Sequence, residues 1–422
     1  MNRSVLAACL GWMFSAVDII LLILFQNDVA ASLGVPVETI KMATGVGLLG
    51  SALGGIVFAQ LGDRYGRVRA LGWCVTLYSL ATAGMGLAPS AAVLIAMRFV
   101  SGIGTGGEWS VGFALVAEVS PRKGRGWIGG LVAGFFNLGT FVAIILFQAL
   151  TWRAAFGLLA LPALGVLWLR RRVPESPVWV ELQTARARGE VNEALEAQLR
   201  RPPVALLFRG GMLGLTLRTT LLFTLMNFAF YAFSTTFIDY LQSSGGLALT
   251  KAQQAPYQLV LNGVSLASVV SAGALSDHVS RRLLYAVLCV IGASGHAAFY
   301  LATHGAVGVP SGLMLILAVV VLSYGVNGII GTITAEVFPT HLRSTGPGFC
   351  QNVGKGIGGL AGPIIAAALV PARGFPFVLA LPAAFVLPLA LLIFTLPRAD
   401  AREVKPVEDD GYLRASMDVS AP

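Results

Sequence analysis

The sequence predicts an all-α membrane protein of twelve transmembrane helices in two six-helix halves. Three observations carry this. Hydrophobic residues make up 56% of the 422 residues and charged residues only 12%, against a charged fraction of ~25% in soluble domains. Apolar runs of the ~20 residues needed to cross a bilayer recur near residues 4–26, 40–61, 70–88, 92–118, 127–149, 153–170, 214–241, 256–276, 283–301, 311–336, 345–370 and 375–396. Finally, loop motifs of the first six runs return among the last six.

Each segment then takes its place. The first run holds Asp18 and lacks a small-residue cleavage site, so it reads as a retained spanning helix and not a signal peptide. With twelve spans both termini share a side. The loops of the other side hold only Lys41, Arg153, Lys251 and Arg373, while Arg98 and Lys355 lie inside spans. All other Lys and Arg fall on the side of the termini, which the positive-inside rule places in the cytoplasm. The net charge of +9 therefore reports topology and not a nucleic-acid surface. Residues 1–170 form one six-helix bundle and 214–396 the other. The 171–213 loop between them, rich in Arg, Glu and Ala, is expected to form one or two short amphipathic helices on the cytoplasmic face. The polar tail, 397–422, reads as disordered. Cys9, Cys74, Cys289 and Cys350 sit in apolar segments without metal-ligand spacing, so they read as small buried hydrophobes.

The repeat is specific. "GDRYGRVR" at 62–69 follows the second run and "SDHVSRR" at 276–282 the eighth. "EVSPRKGRG" at 118–126 follows the fourth and "EVFPTHLRS" at 336–344 the tenth, matching Glu118 to Glu336, Pro121 to Pro339 and Arg125 to Arg343. A parallel duplication of this kind is how many transporters are built, with the substrate near the midplane between the halves. Together with "PESP" at 174–177 and "RFVSGIGTGGEWSVG" in the fourth run, these motifs resemble the major facilitator superfamily. The likeness is greatest to its sugar-porter-related branch of proton-coupled metabolite, sialic acid and monocarboxylate transporters. The animal organic-ion transporters are more distantly similar.

That resemblance implies that "GDRYGRVR" latches helices on the cytoplasmic side. Gly62 and Gly66 allow tight turns, and Asp63 can pair with Arg67. Glu118, Arg125, Asp277, Glu336 and Arg343 are expected to form the companion gating network. "GIGTGG" at 102–107 and "GKGIGG" at 354–359 fit a dinucleotide fingerprint, but no strand precedes either, so close helix packing is the better reading.

Ionisable residues at membrane depth are functional hypotheses by default. At roughly 1.5 Å per residue, Asp18 lies about 21 Å from the cytoplasmic end of its span and Arg98 about 9 Å from the outer end of its own. Those depths coincide. Sugar porters carry a similar Asp–Arg pair in the first and fourth helices, which implies a proton switch. Glu108, near the midplane beside Gly106, Gly107 and Trp109, is the competing proton carrier. Lys355, about 15 Å into its span, needs an anion, supplied by Glu108 or by a substrate carboxylate. At the offset of the repeat it is the counterpart of Asn137. Asn227, Tyr231, Asn262, Tyr324, Asn327, Gln351, Asn352, Gln148 and Trp109 could line a hydrated cavity at this depth, though each polar one could equally be an interhelical hydrogen bond. His296 reads as a packing residue, and His278 and His341 fall in loops.

The expectation is a monomeric secondary transporter of the plasma membrane, importing a small organic carboxylate with a proton by alternating access. It is not expected to be an enzyme: the spans hold one His and no H-E-x-x-H pattern. No cofactor, metal or nucleic acid is expected, and no Walker A sequence is present. A sugar or polyol symporter and a drug-efflux antiporter are the alternatives, and Lys355 argues against the sugar. A cysteine replacing Arg188 should resist a membrane-impermeant maleimide in intact cells, and rapid labelling there would invert the topology.

Overall fold

The computed structural model describes residues 3–119, 124–162, 165, 173–188, 203–209, 212–304, 312–338, 342 and 345–397. Among them the chain is helical, with no β-strand. Helix α1 (Arg3–Leu24) runs from the face carrying the Lys- and Arg-rich loops to the opposite face, where a short α2 (Gln26–Leu33) follows. Then α3 (Val37–Tyr65), α4 (Arg67–Gly86), α5 (Ala91–Val119), α6 (Arg125–Ala149) and α7 (Trp152–Leu158) make up the described part of the first half. The connecting loop holds α8 (Pro177–Ala187) and α9 (Pro203–Leu206).

The second half opens with α10 (Met212–Gln242), α11 (Lys251–Leu275) and α12 (Arg281–Thr303). Helices α13 (Leu313–Leu322) and α14 (Val326–Val337) form one span, joined by a single 3-10 turn at Ser323–Gly325. It ends with α15 (Thr345–Ala380) and α16 (Ala383–Leu392). Among the described residues eight helical stretches are apolar and long enough to cross a membrane by themselves. The last of them, 345–395, contains two crossings, because Gly374 leaves helical geometry inside α15 at φ 77°. Helices α4 and α5 are less apolar, and most of the sixth expected span, beyond residue 162, lies outside the described residues. The expected spans thus recur with shifted ends. Phe25 separates α1 from α2, and the eleventh span continues past residue 370 to Gly374.

Local sequence explains the boundaries that matter. Gly66 ends α3 and opens α4 at φ 103°, a conformation cheap only for glycine. Ser176 caps α8 by accepting from Trp179 N at 3.3 Å, with Pro177 at the first helical position. Thr250 and Gln253 form a reciprocal capping box that starts α11.

In hydrocarbon no water drives apolar helix faces together, so association rests on close packing and interhelical hydrogen bonds. Glycines supply the packing. A Cβ at Gly106 would overlap the carbonyl oxygen of Ser51, and one at Gly54 that of Ile103, so the α3 and α5 backbones touch. In "GKGIGG", Gly358 lies against the Thr224 carbonyl of α10, and Gly359 against Leu48 of α3 in the other half. Both glycine motifs are packing seams. Asn352 ties three helices: it accepts from Ser51 Oγ at 3.2 Å and donates to Ser110 Oγ at 3.0 Å. Gly106→Val should therefore lower stability by at least about 1–3 kcal/mol through overpacking, read as a lower unfolding temperature in detergent. Gly112→Ala, whose Cβ would meet only Ala8 at 3.9 Å, should leave that temperature unchanged. Equal losses in both variants would refute the seam.

Candidate functional site

The loops of the basic face build two matching clusters. In the first half Arg67 pairs with Asp63 and, at 3.2 Å, with Glu118. Glu175 of "PESP" accepts from Val68 N at 3.0 Å, and Trp179 Nε1 donates to the Asp63 carbonyl at 2.9 Å, so the connecting loop is docked on the motif. In the second half Arg281 pairs with Glu336 and lies 3.6 Å from Asp277. The repeat extends to this arginine: Arg281 stands four residues after Asp277 as Arg67 does after Asp63. Asp277 also crosses between halves. Its carboxylate accepts from Gly126 N and Trp127 N, both at 3.0 Å, where the α6 N-terminus favours an anion. Arg343 and the side chain of Arg125 lie outside the described residues.

Deeper in the first half, Asp18 and Arg98 meet as their depths predict. Arg98 Nη1 donates to Asp18 Oδ2 at 2.7 Å, Ser101 Oγ donates to the same oxygen at 2.8 Å, and Thr82 Oγ1 donates to Oδ1. The pair is sealed, each member about 1% exposed. It clamps α1, α4 and α5, and Arg98 fills the space that Gly47 leaves on α3. Glu108 is buried close against Gly11 of α1, and its Oε2 has no hydrogen-bond partner.

Between the halves lies a cavity of about 250 Å³. Its wall is aromatic: Trp12, Trp109, Phe113 and Phe136 face Phe223, Phe230, Tyr231 and Tyr324. The rings make a continuous chain across the interface, with Phe136 6.5 Å from Phe230 and Trp109 6.3 Å from Phe223. Of the expected lining residues, Asn137, Asn227, Asn262, Asn327, Gln351 and Lys355 also reach the cavity, with Trp109, Tyr231 and Tyr324 among the rings. Several amides are partly engaged. Asn262 donates to the Asn137 carbonyl at 2.9 Å, and Asn227 and Asn327 donate within their own helices. Lys355 is 5% exposed and makes no hydrogen bond or ion pair among the described residues.

Other residues lie elsewhere. Asn352 is turned into the α3–α5–α15 junction, because two serines there satisfy its amide better than a cavity would. Gln148 donates to the Lys251 carbonyl at 2.9 Å on the opposite face. Asp18, Arg98 and Glu108 do not line the cavity, though Ile20 and Trp109, close in sequence to Asp18 and Glu108, do. Glu108 and Lys355 form no ion pair. His296 lines the cavity but its Nδ1 lies 2.8 Å from the Leu379 carbonyl, a satisfied packing contact.

The ionisable groups at depth also exceed the expected set. Lys41, read as a loop residue of the opposite face, lies in α3 and pairs with Asp239 of α10 at 2.8 Å, both buried. Asp239 stands inside the seventh apolar run, "TTFIDYLQ", a signal the sequence offers openly. The aromatic wall beyond Trp109 is harder to foresee, since an aromatic facing lipid and one facing a cavity look alike in sequence.

Residues 5–355 match the family model of the Major Facilitator Superfamily. The niacin transporter NiaP of Acinetobacter baylyi is 29% identical over 386 residues, covering 84% of each chain. The cis,cis-muconate transport protein of the same organism is 26% identical over 356 residues, covering 83% of each. The solved structure of the proton:xylose symporter XylE superposes with a TM-score of 0.74 at 17% identity, covering 94% of this chain and 95% of that one, which shows a shared fold. With a cavity between two duplicated six-helix halves and a family match over most of its length, the chain belongs to the Major Facilitator Superfamily, a multi-pass membrane transporter of small molecules and not an enzyme.

Proposed function

We propose that the protein imports a small, flat organic carboxylate with a proton across the plasma membrane, both termini lying in the cytoplasm, and that it acts as a monomer. The observation that carries this reading is Lys355: a buried ammonium that forms no ion pair among the described residues, on the wall of an aromatic cavity between the halves. A lone charge in such surroundings costs several kcal/mol, by a margin that depends on the scale used, and a bound carboxylate offsets it. The ring faces would hold the apolar body of the substrate, and aromatic pairs contribute ~0.5–1.5 kcal/mol each beyond area burial. Niacin and muconate, named for two relatives, are acids of this kind.

The proton is assigned to the carboxyls that stand beside the cavity, Asp18 and Glu108. An anion arriving at Lys355 and a proton arriving at a nearby carboxyl keep the local charge constant, so each favours the other. At Asp18 a proton would release Arg98 from its ion pair and loosen the clamp on α1, α4 and α5. At Glu108 it would meet an oxygen that has no other partner. Rocking of the halves then exposes the cavity to the other side, with the Arg67 and Arg281 clusters gating the basic face.

Three measurements test this. Lys355→Ala should weaken binding of an acid by roughly one to two decades, the worth of a charge-assisted hydrogen bond of about 1.5–3 kcal/mol, and leave its neutral amide almost unchanged. Equal loss of acid and amide would transfer support to the sugar reading. Asp18→Asn and Glu108→Gln should each lose pH-driven accumulation while retaining substrate exchange. A variant that still concentrates substrate leaves the proton path, and retention in both would show that the coupling is not protonic. With one proton per monoanion, uptake should respond to a pH difference and little to membrane potential.

A further inference from the structure

We infer that Lys41 and Asp239 are the lock of a gate on the face opposite the basic loops, and that this face opens only when they part. The two residues belong to different halves, Lys41 to α3 and Asp239 to α10. At roughly 1.5 Å per residue Lys41 lies about 6 Å and Asp239 about 4.5 Å inside its helix end, so their depths agree. Their side chains are 4% and 13% exposed, and the ammonium sits 2.8 Å from the carboxylate. Nothing in the substrate cavity uses them.

They are the buried centre of a larger junction. Gln26 Nε2 donates to the Thr235 carbonyl at 3.2 Å, and Asn27 Nδ2 to Gln242 Oε1 at 2.7 Å. Gln242 Nε2 in turn donates to the Leu24 carbonyl at 3.3 Å. Every one of these bonds joins the first half to the second. Leu24 and Ile238, immediate chain neighbours of this junction, line the cavity, so the junction is the cavity's cover on that side.

At the rim Lys251, the first residue of α11, reaches Asp28 at 2.5 Å and lies over the rings of Phe147 and Phe25. A cation at a helix N-terminus opposes the macrodipole, and the anion and ring faces that offset this come from the other half.

Burial decides which pair is the lock. The Lys251–Asp28 pair is 43% and 40% exposed, and such pairs add little because water screens them. Removing one partner of a buried pair leaves an uncompensated charge, a large penalty until opening lets water reach it. Losing either Lys41 or Asp239 should therefore favour the open face, whereas losing Lys251 should matter little.

The test is a distance measurement between spin labels at the exposed positions Ser32 and Ala252, in the full chain with its four native cysteines replaced by alanine. Lys41→Met should raise the ratio of long to short distances by at least about tenfold, because an uncompensated buried charge is relieved only in the open state. Lys251→Met should change it less than about twofold. The exchanged pair Lys41→Asp with Asp239→Lys should restore the short distance. An unchanged distribution in Lys41→Met, or an equal shift in Lys251→Met, overturns the assignment. If Lys41→Met does not fold, the exchanged pair is read by itself: a retained short distance supports the lock and a long one refutes it.

Discussion

A charge inside a bilayer cannot be solvated by lipid, so it needs a partner from the protein, and most of this architecture can be read from how that need is met. Asp18 is satisfied by Arg98, Ser101 and Thr82 within the first half. Lys41 is satisfied by Asp239 across the halves; at the basic face, outside the apolar core, Asp277 accepts from the amide end of α6, again across the halves. Lys355 is met by none of these. The pairings within a half hold its shape. Those between halves hold the two halves in this arrangement, and the missing one is where the proposed substrate carboxylate would sit.

The same constraint separates strong from weak contributions. Exposed pairs such as Lys251–Asp28 add little, because water screens them and both side chains lose freedom. Sealed pairs add little net stability either, since desolvation offsets most of the attraction, but they cannot be broken singly without a large penalty. That asymmetry suits a transporter. Cross-half pairs define a closed face sharply, yet they can separate once water reaches both partners together.

Packing supplies what electrostatics does not. Glycines at the α3–α5 and α10–α15 seams bring backbones into contact, giving each half stiff helix pairs. Across the halves, small residues such as Gly359 against Leu48, and Gly130 against Gly273, make smooth surfaces. On the function proposed above, stiff units with smooth mutual surfaces suit a rocking motion that opens the aromatic cavity between them to one face and then the other. The clusters around Arg67 and Arg281 sit at the ends of those bodies on the basic face, where a small rotation is largest.

The sequence by itself determined the number of spans, the duplication, the membrane depth of Asp18, Arg98, Glu108 and Lys355, and the packing role of the glycine motifs. Hydrophobic run length, loop charge and residue spacing are local quantities, and a linear chain displays them fully. It also placed Asp18 and Arg98 at one depth, because rise per residue converts position into height. Height alone does not give direction around a helix axis. Whether Asn352 would face a cavity or two serines, whether Glu108 would reach Lys355, and whether Lys41 would find Asp239 nearly two hundred residues away depended on helix rotation and on the docking of the halves. Those are set by the sum of many packing contacts, and only the tertiary structure decided them.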